Sequence, residues 1–366
     1  MENTIPHTHQ DIDSENINPN LAKSSEVIQD QKITSQIQKI QDKDSSDEED
    51  EKMNDQEAKL WNRIEELLKD YHLNGFQKVA CKKFIKDKVG NPENHTVDRL
   101  REWLFMRLNG QRIPEKHHPR QLGCPDLVPG LSLKGYWQRD LFEWIRKLEE
   151  AAPIIREELA QLRNEKGFQP YRSPAYASKN LPEDKIGSLG NDSGSWNVFY
   201  LFLHDIQFEE NCAKVPKTVQ ILKDIVPRNY HHAFFSALTP GTHVTPHNGP
   251  TGKKLRVHLP LVGVEGARMR VGDEIKYLQQ DECIIFDDSF NHEAWHDGQQ
   301  TRINLILDFW HPELSDDEVK FFTMLLKSKL KGEKFLSEKI QNNDHLYAII
   351  EQTKDLLKSN DDWWIS

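Results

Sequence analysis

The first 55 residues of this 366-residue chain contain no aromatic residue and few aliphatic ones. A segment of this composition cannot bury enough apolar surface to offset the conformational entropy that is lost on folding. It also includes an unbroken acidic run at 47–51. The sequence therefore predicts a disordered acidic tail over residues 1–55.

Long apolar runs and paired cysteines are also missing. No stretch approaches the roughly 20 apolar residues that a membrane helix needs, and the N-terminus has no signal-peptide pattern. The cysteines have no C-x-x-C spacing, which argues against a disulfide framework or a zinc knuckle; they are Cys81, Cys124, Cys212 and Cys283. The net charge of -11 disfavours a nucleic-acid partner. We expect a cytoplasmic protein without a membrane span that acts on a protein, a peptide or a small molecule.

Helical periodicity dominates the chain between the tail and residue 130. Apolar residues around 60–71 and 100–108 predict two amphipathic helices, so residues 56–130 are interpreted as a helical N-terminal region. Further helices are expected near 141–148, from Pro153 onward and over 216–226. Two more, over 315–331 and 336–358, would make residues 316–366 a C-terminal helical region.

From Trp196 onward the pattern changes to short apolar segments separated by Gly, Pro, Asn and Asp. These segments predict strands at 196–206, 233–239, 254–262, 268–271, 282–287 and 302–310. Many short strands joined by turns are typical of a double-sheet jelly roll. The expected fold class is α+β, with a cupin-like double-stranded β-helix over residues 131–315 and helices flanking it.

Eight of the 16 histidines lie between residues 231 and 311, and two of them fall in distinctive motifs. The stretches are SALTPGTHVTPHNGPTGKKLRVH at 236–258 and IFDDSFNHEAW at 285–295, followed by RINLILDFWHPEL at 302–314. They closely resemble the signature of the aspartyl/asparaginyl β-hydroxylase family. The resemblance covers roughly residues 135–315.

This resemblance implies a jelly-roll oxygenase whose iron-binding histidines are His247 and His292. Family members use Fe(II), O2 and 2-oxoglutarate to hydroxylate a carbon atom. Two neutral imidazoles leave several positions of an octahedral Fe(II) free, enough for a bidentate 2-oxoacid and for O2. The family's cosubstrate contacts map to Trp196, Ser236, Arg256, Val257 and His258.

Arg302 is the best candidate to bind the carboxylate of 2-oxoglutarate that does not chelate iron. It follows His292 by ten residues, in a strand expected to return alongside the metal, and a guanidinium can bind a carboxylate through two parallel hydrogen bonds. The Ser236 hydroxyl could donate to the same carboxylate. Arg256 and His258 share one strand face, which lets both point into the barrel.

One expected metal ligand is missing from the motif. In the common facial triad a carboxylate lies two residues after the first histidine, and here that residue is Gly249. The resemblance implies that water fills this position, and a halide there would leave halogenation open as an outcome. Asp287 and Asp288 are expected to cap a turn, with at most a role in orienting His292. Lys253 and Lys254 are expected on a solvated face.

Other interpretations stay open at this level. Arg256 could lie on a solvated strand face, and Trp196 could be plain core. The chain could be a non-catalytic descendant that binds 2-oxoglutarate or a partner protein, or a cupin-like zinc or iron protein with hydrolytic or isomerase chemistry. The substrate carbon could belong to an Asp or Asn side chain of a protein or peptide, or to a lipid or other small molecule. The remaining histidines of the motif region are expected to be structural; they are His243, His296 and His311.

Overall fold

The computed structural model describes residues 47–163, 165–174, 177, 180–203, 206–340, 346–354, 356 and 363–366. Residues 1–46, most of the predicted acidic tail, lie outside the described residues. The prediction of disorder therefore stays a prediction for that segment.

The strands form two antiparallel sheets. In chain order they are β1 (Tyr136–Trp137), β2 (Gln169–Pro170), β3 (Asn191–Ser193), β4 (Trp196–Leu203), β5 (Ile206–Gln207), β6 (Asn229–Leu238), β7 (Thr242–His247), β8 (Lys254–Val262), β9 (Ala267–Val271), β10 (Glu274–Tyr277), β11 (Ile284–Phe286), β12 (His292–His296) and β13 (Arg302–Trp310). The larger sheet has the order β1-β11-β8-β13-β6-β4-β2, with β5 paired to β4. The smaller sheet has the order β10-β9-β12-β7-β3. This is the double-stranded β-helix that the sequence predicts.

The central strands of the larger sheet alternate between an apolar and a polar face, as the period of two in a strand requires. On β8 and β13 the apolar side chains enter the main core; they are Leu255, Val257, Leu259, Ile303, Leu305 and Leu307. Most of the intervening side chains are polar; they are Lys254, Arg256, His258, Arg302, Asn304 and Asp308. Phe286, directly opposite Arg256 in the sheet, packs with Met269 and Val271 of the smaller sheet. The polar face is therefore enclosed between the two sheets.

The helices are α1 (Asp47–Leu67), α2 (Gly75–Phe84), α3 (Asp98–Leu108), α4 (Glu143–Glu150), α5 (Ala152–Gln161), α6 (Glu209–Lys214), α7 (Pro216–Ile225), α8 (Asp316–Ile340) and α9 (Leu346–Lys354). A π-helical turn, Ile85–Val89, extends α2. Helices α4, α5 and α7 cover the apolar face of the larger sheet through Ile145, Ile155 and Leu222. No described helix combines the length and the apolar character needed to cross a membrane.

The N-terminal helices form a second core together with α8. Trp103 of α3 packs edge-on against Phe322 of α8, with ring centroids 5.4 Å apart. Trp310 and Tyr230, at the ends of β13 and β6, belong to the same cluster. The helical N-terminal region therefore packs directly against one end of the larger sheet.

Most predicted elements of the central region are confirmed. All six predicted strands are present; 254–262 and 302–310 have the predicted bounds and the other four have shifted ends. Helix 216–226 is α7, and α5 carries Pro153 in its first turn. Strands β7, β10 and β12 were not predicted, nor were the shorter strands β1, β2, β3 and β5 as separate elements. Helix α2 was not predicted either.

Two predicted boundaries are wrong. Helix α1 begins at Asp47, inside the segment that the sequence assigns to the disordered tail. Helix α8 runs without a break to Ile340, whereas the sequence predicts two helices over 315–331 and 336–358. The glycine inside it is a point of close approach, because a Cβ atom at Gly332 would lie 2.3 Å from the Cβ of His72.

The central position of β13 generates a prediction about stability. Leu305 is fully buried between its neighbours β6 and β8, so Leu305→Ala would leave a cavity in the main core. We expect the free energy of unfolding, measured by chemical denaturation, to fall by about 2–5 kcal/mol. Leu181→Ala, at a side chain that is 64% exposed, should change it by less than about 0.5 kcal/mol. Similar losses in the two variants would contradict this account of the core.

Candidate active site

The two histidines predicted to bind iron lie opposite each other on neighbouring strands of the smaller sheet. His247 ends β7, His292 begins β12, and the two residues are paired in the register of these strands. Their ring centroids are 4.1 Å apart. The fold therefore brings both imidazoles to one place between the sheets.

Backbone carbonyl groups orient both rings. Nδ1 of His247 lies 2.8 Å from the carbonyl oxygen of Thr245, and Nδ1 of His292 lies 2.8 Å from that of Phe290. A carbonyl oxygen only accepts, so Nδ1 carries the proton and Nε2 keeps a free lone pair in each ring. Burial lowers the pKa of both rings, which are therefore neutral at neutral pH. The expected role of Asp287 or Asp288 in orienting His292 is taken by a carbonyl group instead.

The region beside Gly249 differs from the open position that the sequence suggests. A Cβ atom at Gly249 would lie 2.5–2.7 Å from the carboxyl atoms of Asp288, and the Gly249 N–H donates to the Asp288 carbonyl oxygen. Glycine is needed because Asp288 occupies this space. Among the described residues, no group of three or more His, Cys, Asp or Glu side chains is arranged to hold one metal ion.

A balanced cluster of buried charges lies on the polar face of β8. Lys254 Nζ lies 2.6 Å from Asp288 Oδ2 and 2.9 Å from Asp308 Oδ2. Arg256 binds the Asp308 carboxylate through Nε and Nη2, at 2.8 and 2.9 Å, and lies 3.3 Å from Asp288. Burial raises the pKa of Asp308, but Arg256 and Lys254 outweigh it and hold that pKa well below its usual value. Two cations thus face two carboxylates.

The expectation that Lys253 and Lys254 lie on a solvated face is wrong. Their exposed fractions are 5% and 1%. Lys254 binds the cluster just described, and Lys253 Nζ lies 2.6 Å from Asp126 Oδ2 in the N-terminal region. Both charges are compensated by carboxylates that are distant in sequence, which a local pattern cannot reveal.

Arg302 is different from the other interior cations because no carboxylate partner accompanies it among the described residues. Its side chain is buried, its Nε has no hydrogen-bond partner, and its Nη2 lies 3.4 Å from Ser236 Oγ. Burial alone lowers the pKa of this guanidinium to about 9. The group remains charged at neutral pH, and its charge is uncompensated within the described part of the chain.

Three predicted cosubstrate residues lie around Arg302. Ser236 of β6 accepts a hydrogen bond from Trp196 Nε1 at 3.0 Å. His258 contacts Phe286, and Phe286 in turn contacts His292, with ring centroids 5.1 and 5.4 Å apart. Phe286 therefore connects the Arg302 side of the interior with the histidine pair.

Sequence reasoning missed two residues of this pocket. Asn304 lies two positions after Arg302 on the same strand face, its Nδ2 is 3.5 Å from His258 Nδ1, and its Oδ1 has no hydrogen-bond partner. The period of two could have identified it. Tyr171 stacks on Trp196 with ring centroids 3.7 Å apart, and no local signal indicated that contact.

Val257 is not brought into the pocket by its side chain, which lies in the main core on the opposite face of β8. The other histidines make structural contacts, as expected. His243 bridges Asp192 and Glu293. His296 and His311 are fully buried at the ends of strands β12 and β13.

Two antiparallel sheets that enclose a pair of neutral histidines, His292 buried and His247 partly buried, define a cupin-like double-stranded β-helix fold. Residues 149–312 match the family model described as Aspartyl/Asparaginyl beta-hydroxylase. This domain belongs to that family, and the resemblance inferred from the motifs is confirmed.

Relatives with curated names include several hydroxylases. Over 255 residues the chain is 35% identical to the Aspartyl/asparaginyl beta-hydroxylase of Homo sapiens, covering 68% of this chain and 29% of that protein. It is 35% identical over 152 residues to Aspartate beta-hydroxylase domain-containing protein 2 of Homo sapiens, covering 39% and 41%. It is 28% identical over 205 residues to the Ornithine lipid ester-linked acyl 2-hydroxylase of Rhizobium tropici, covering 55% and 69%. The chain thus spans less than a third of the first of these relatives.

Among solved structures, the chain aligns with an oxidoreductase of the 2OG-Fe(II) oxygenase family from Burkholderia pseudomallei. The identity is 10%, the alignment covers 46% of this chain and 90% of that chain, and the TM-score is 0.32. The assignment of the fold class rests on the strand order and pairing described above.

Asp287 generates a prediction about pH. Burial raises the pKa of its carboxyl group from 3.8 to about 7, and hydrogen bonds from Ser289 oppose this shift only in part. A raised carboxyl pKa contributes stability that is present below about pH 4 and is lost as the pH rises through about 7. Asp287→Asn stays neutral throughout.

We therefore expect the unfolding free energy of Asp287→Asn, relative to wild type, to increase between about pH 5 and about pH 8. Chemical denaturation at several pH values measures this difference. Asp224→Asn, at an exposed position on α7, is the control and should show no such trend. A constant difference between Asp287→Asn and wild type across the range would mean that Asp287 is ionised throughout.

Proposed function

We propose that this chain is an Fe(II)- and 2-oxoglutarate-dependent dioxygenase that hydroxylates a carbon atom of its substrate. The observation that carries the proposal is the buried guanidinium of Arg302, which has no carboxylate partner among the described residues and lies in the same interior as the two imidazoles. A buried cation is unfavourable unless an anion compensates it. The carboxylate of 2-oxoglutarate that does not chelate the metal would supply that anion.

The residues present fit an iron ion. His247 and His292 are neutral and paired across two strands, and a backbone carbonyl fixes the tautomer of each ring. Carbonyl acceptors at Nδ1 are a common way to orient metal-binding imidazoles and to increase their basicity. Imidazole is a suitable ligand for Fe(II), and two such ligands leave room for further ligands.

The residues around Arg302 also fit a carboxylate. Because Trp196 Nε1 donates to Ser236 Oγ, the Ser236 hydroxyl hydrogen remains free to donate elsewhere. It would donate to the same carboxylate as the guanidinium, whose fork geometry favours two parallel hydrogen bonds. Arg256 lies on the same side of the sheet but already binds two carboxylates, so we assign it a supporting role toward the cosubstrate.

When bound, iron and 2-oxoglutarate would enable O2 to oxidise a C–H bond of the substrate. The chain's own residues bind and orient these groups and limit the access of water. Phe286 is fully buried between His258 and His292 and keeps the centre of the interior apolar. The stacked rings of Tyr171 and Trp196 form a wall beside Ser236.

We further propose that the substrate carbon belongs to an Asp or Asn side chain of a protein or peptide. The higher identity to relatives named for aspartyl and asparaginyl hydroxylation supports this choice over the more distant relative named for a lipid acyl chain. Because the chain spans less than a third of the first of these relatives, a lipid or another small molecule is the second class to test.

Turnover of 2-oxoglutarate in the absence of the substrate to be hydroxylated provides a first test. Purified protein with Fe(II), ascorbate and 2-oxoglutarate should form succinate slowly, and His247→Ala or His292→Ala should abolish this because each removes a proposed iron ligand. His243→Ala is the matched control on β7 and should retain the wild-type rate. Binding of 2-oxoglutarate without any succinate from wild type would instead indicate a non-catalytic descendant.

Selective loss of 2-oxoglutarate binding provides a second test. Arg302→Gln removes a charge-assisted, bidentate contact, so the Kd of 2-oxoglutarate should rise roughly 100-fold while that of Fe(II) changes less than about 3-fold. The melting temperature of the unliganded variant should not fall, since the substitution removes an uncompensated buried charge. Arg268→Gln, on the smaller sheet, is the control for both affinities. Calorimetry that finds 2-oxoglutarate binding intact in Arg302→Gln would refute the assignment.

A further inference from the structure

A short segment of the N-terminal region contacts both loops that adjoin the histidine pair. We define the clasp as residues 118–127, which precede the family-matched domain at 149–312. The loop 248–253 follows His247, and the loop 287–291 precedes His292. Side chains and backbone groups of the clasp form hydrogen bonds with both loops.

One atom of the clasp connects the two loops. The Arg120 carbonyl oxygen accepts from Asn248 Nδ2 at 2.8 Å and from the Asn291 N–H at 2.6 Å. Asn248 directly follows His247, and Asn291 directly precedes His292. Any displacement of this carbonyl group would therefore affect the residues next to both proposed iron ligands.

Side chains of the clasp strengthen the same connection. Gln121, which is 4% exposed, donates from Nε2 to Ser289 Oγ at 2.8 Å. A Cβ atom at Gly123 would lie 2.3 Å from Asn248 Oδ1, so any side chain at this position would have to displace that of Asn248. The two loops also bind each other, because Asn248 Nδ2 donates to the Ser289 carbonyl oxygen at 2.7 Å.

Asp126 anchors the far end of loop 248–253 to the N-terminal helices. Its carbonyl oxygen accepts from the Gly252 N–H and from Thr251 Oγ1, both at 3.0 Å. Its carboxylate binds Lys253 Nζ at 2.6 Å. The same carboxylate accepts hydrogen bonds from two side chains of α3, from Trp103 Nε1 at 2.9 Å and from Arg107 Nη2 at 2.8 Å. A single, partly buried acid thus joins α3 to the histidine loop.

We propose that the clasp is a positioning element that holds the two histidine-bearing loops together, and that Gln121 and Asp126 are its positioning residues. The inference rests on the proposed function, since it assigns to the N-terminal region the task of setting the affinity of the His247–His292 pair for iron. Groups that fix ligand orientation in this way typically change metal affinity by about 10–100-fold when they are removed. Neither residue belongs to the proposed iron or 2-oxoglutarate ligands.

Anaerobic calorimetry with Fe(II) on the full chain tests the effect on the metal. Gln121→Ala and Asp126→Asn should each weaken Fe(II) binding by at least about 10-fold. Gln169→Ala is the matched control for the first variant, because Gln169 on β2 is a glutamine with the same 4% exposure outside the clasp. Glu158→Gln is the control for the second, because Glu158 is a buried carboxylate that binds the first turn of α7. The Fe(II) affinity of both control variants should stay within about 2-fold of that of wild type.

Hydrogen exchange of the metal-free protein separates this inference from the proposed function. Peptides covering 248–253 and 287–291 should exchange faster in both clasp variants than in either control, although the control substitutions also remove buried contacts. Folded clasp variants with wild-type Fe(II) affinity, or with unchanged exchange in both loops, would overturn the inference. If wild type itself fails to bind Fe(II), the proposed function fails, and exchange alone then decides whether the clasp holds the loops.

Discussion

Charge burial between the two sheets is the constraint on which the rest of the structure depends. Three cations of the larger sheet enter this interior, Lys254, Arg256 and Arg302, but within the described part of the chain only two carboxylates face them, Asp288 and Asp308. Removing such groups from water costs several kcal/mol for each ion unless a partner compensates it. The enclosed face therefore contributes little net stability, and the larger sheet depends on its apolar face and the helices that cover it.

The sequence allowed the fold class and the central pair of residues to be predicted, because both have strong local signals. The alternation of β8 and β13 is visible in the sequence, and His247 and His292 lie in a specific motif. Strands β7 and β12 were missed because they are short and rich in His, Thr and Glu, with Pro246 inside β7. Their strand conformation is set by pairing with β3 and β9, and pairing partners cannot be found from local pattern alone.

Polar residues were the other source of error, for a related reason. A lysine in a sequence looks like a surface residue unless its partner is known, and the partners of Lys254 lie at 288 and 308. The contacts between the helical N-terminal region and the site were also not predicted, because that region carries no recognisable motif. Its connection to the site depends in part on backbone carbonyls, such as that of Arg120, whose hydrogen bonds leave no trace in residue identity.

The alternation of β8 also limits how this domain can change during evolution. Insertion or deletion of one residue within the strand would rotate every later side chain to the other face of the sheet. An insertion directly after Lys254, for example, would turn Leu259 and Leu261 toward the polar interior and Arg256 toward the helices that cover the core. Point substitutions that keep the polarity of each position are tolerable, whereas changes in the length of β8 are not. Length variation among relatives should therefore be confined to the turns outside this strand.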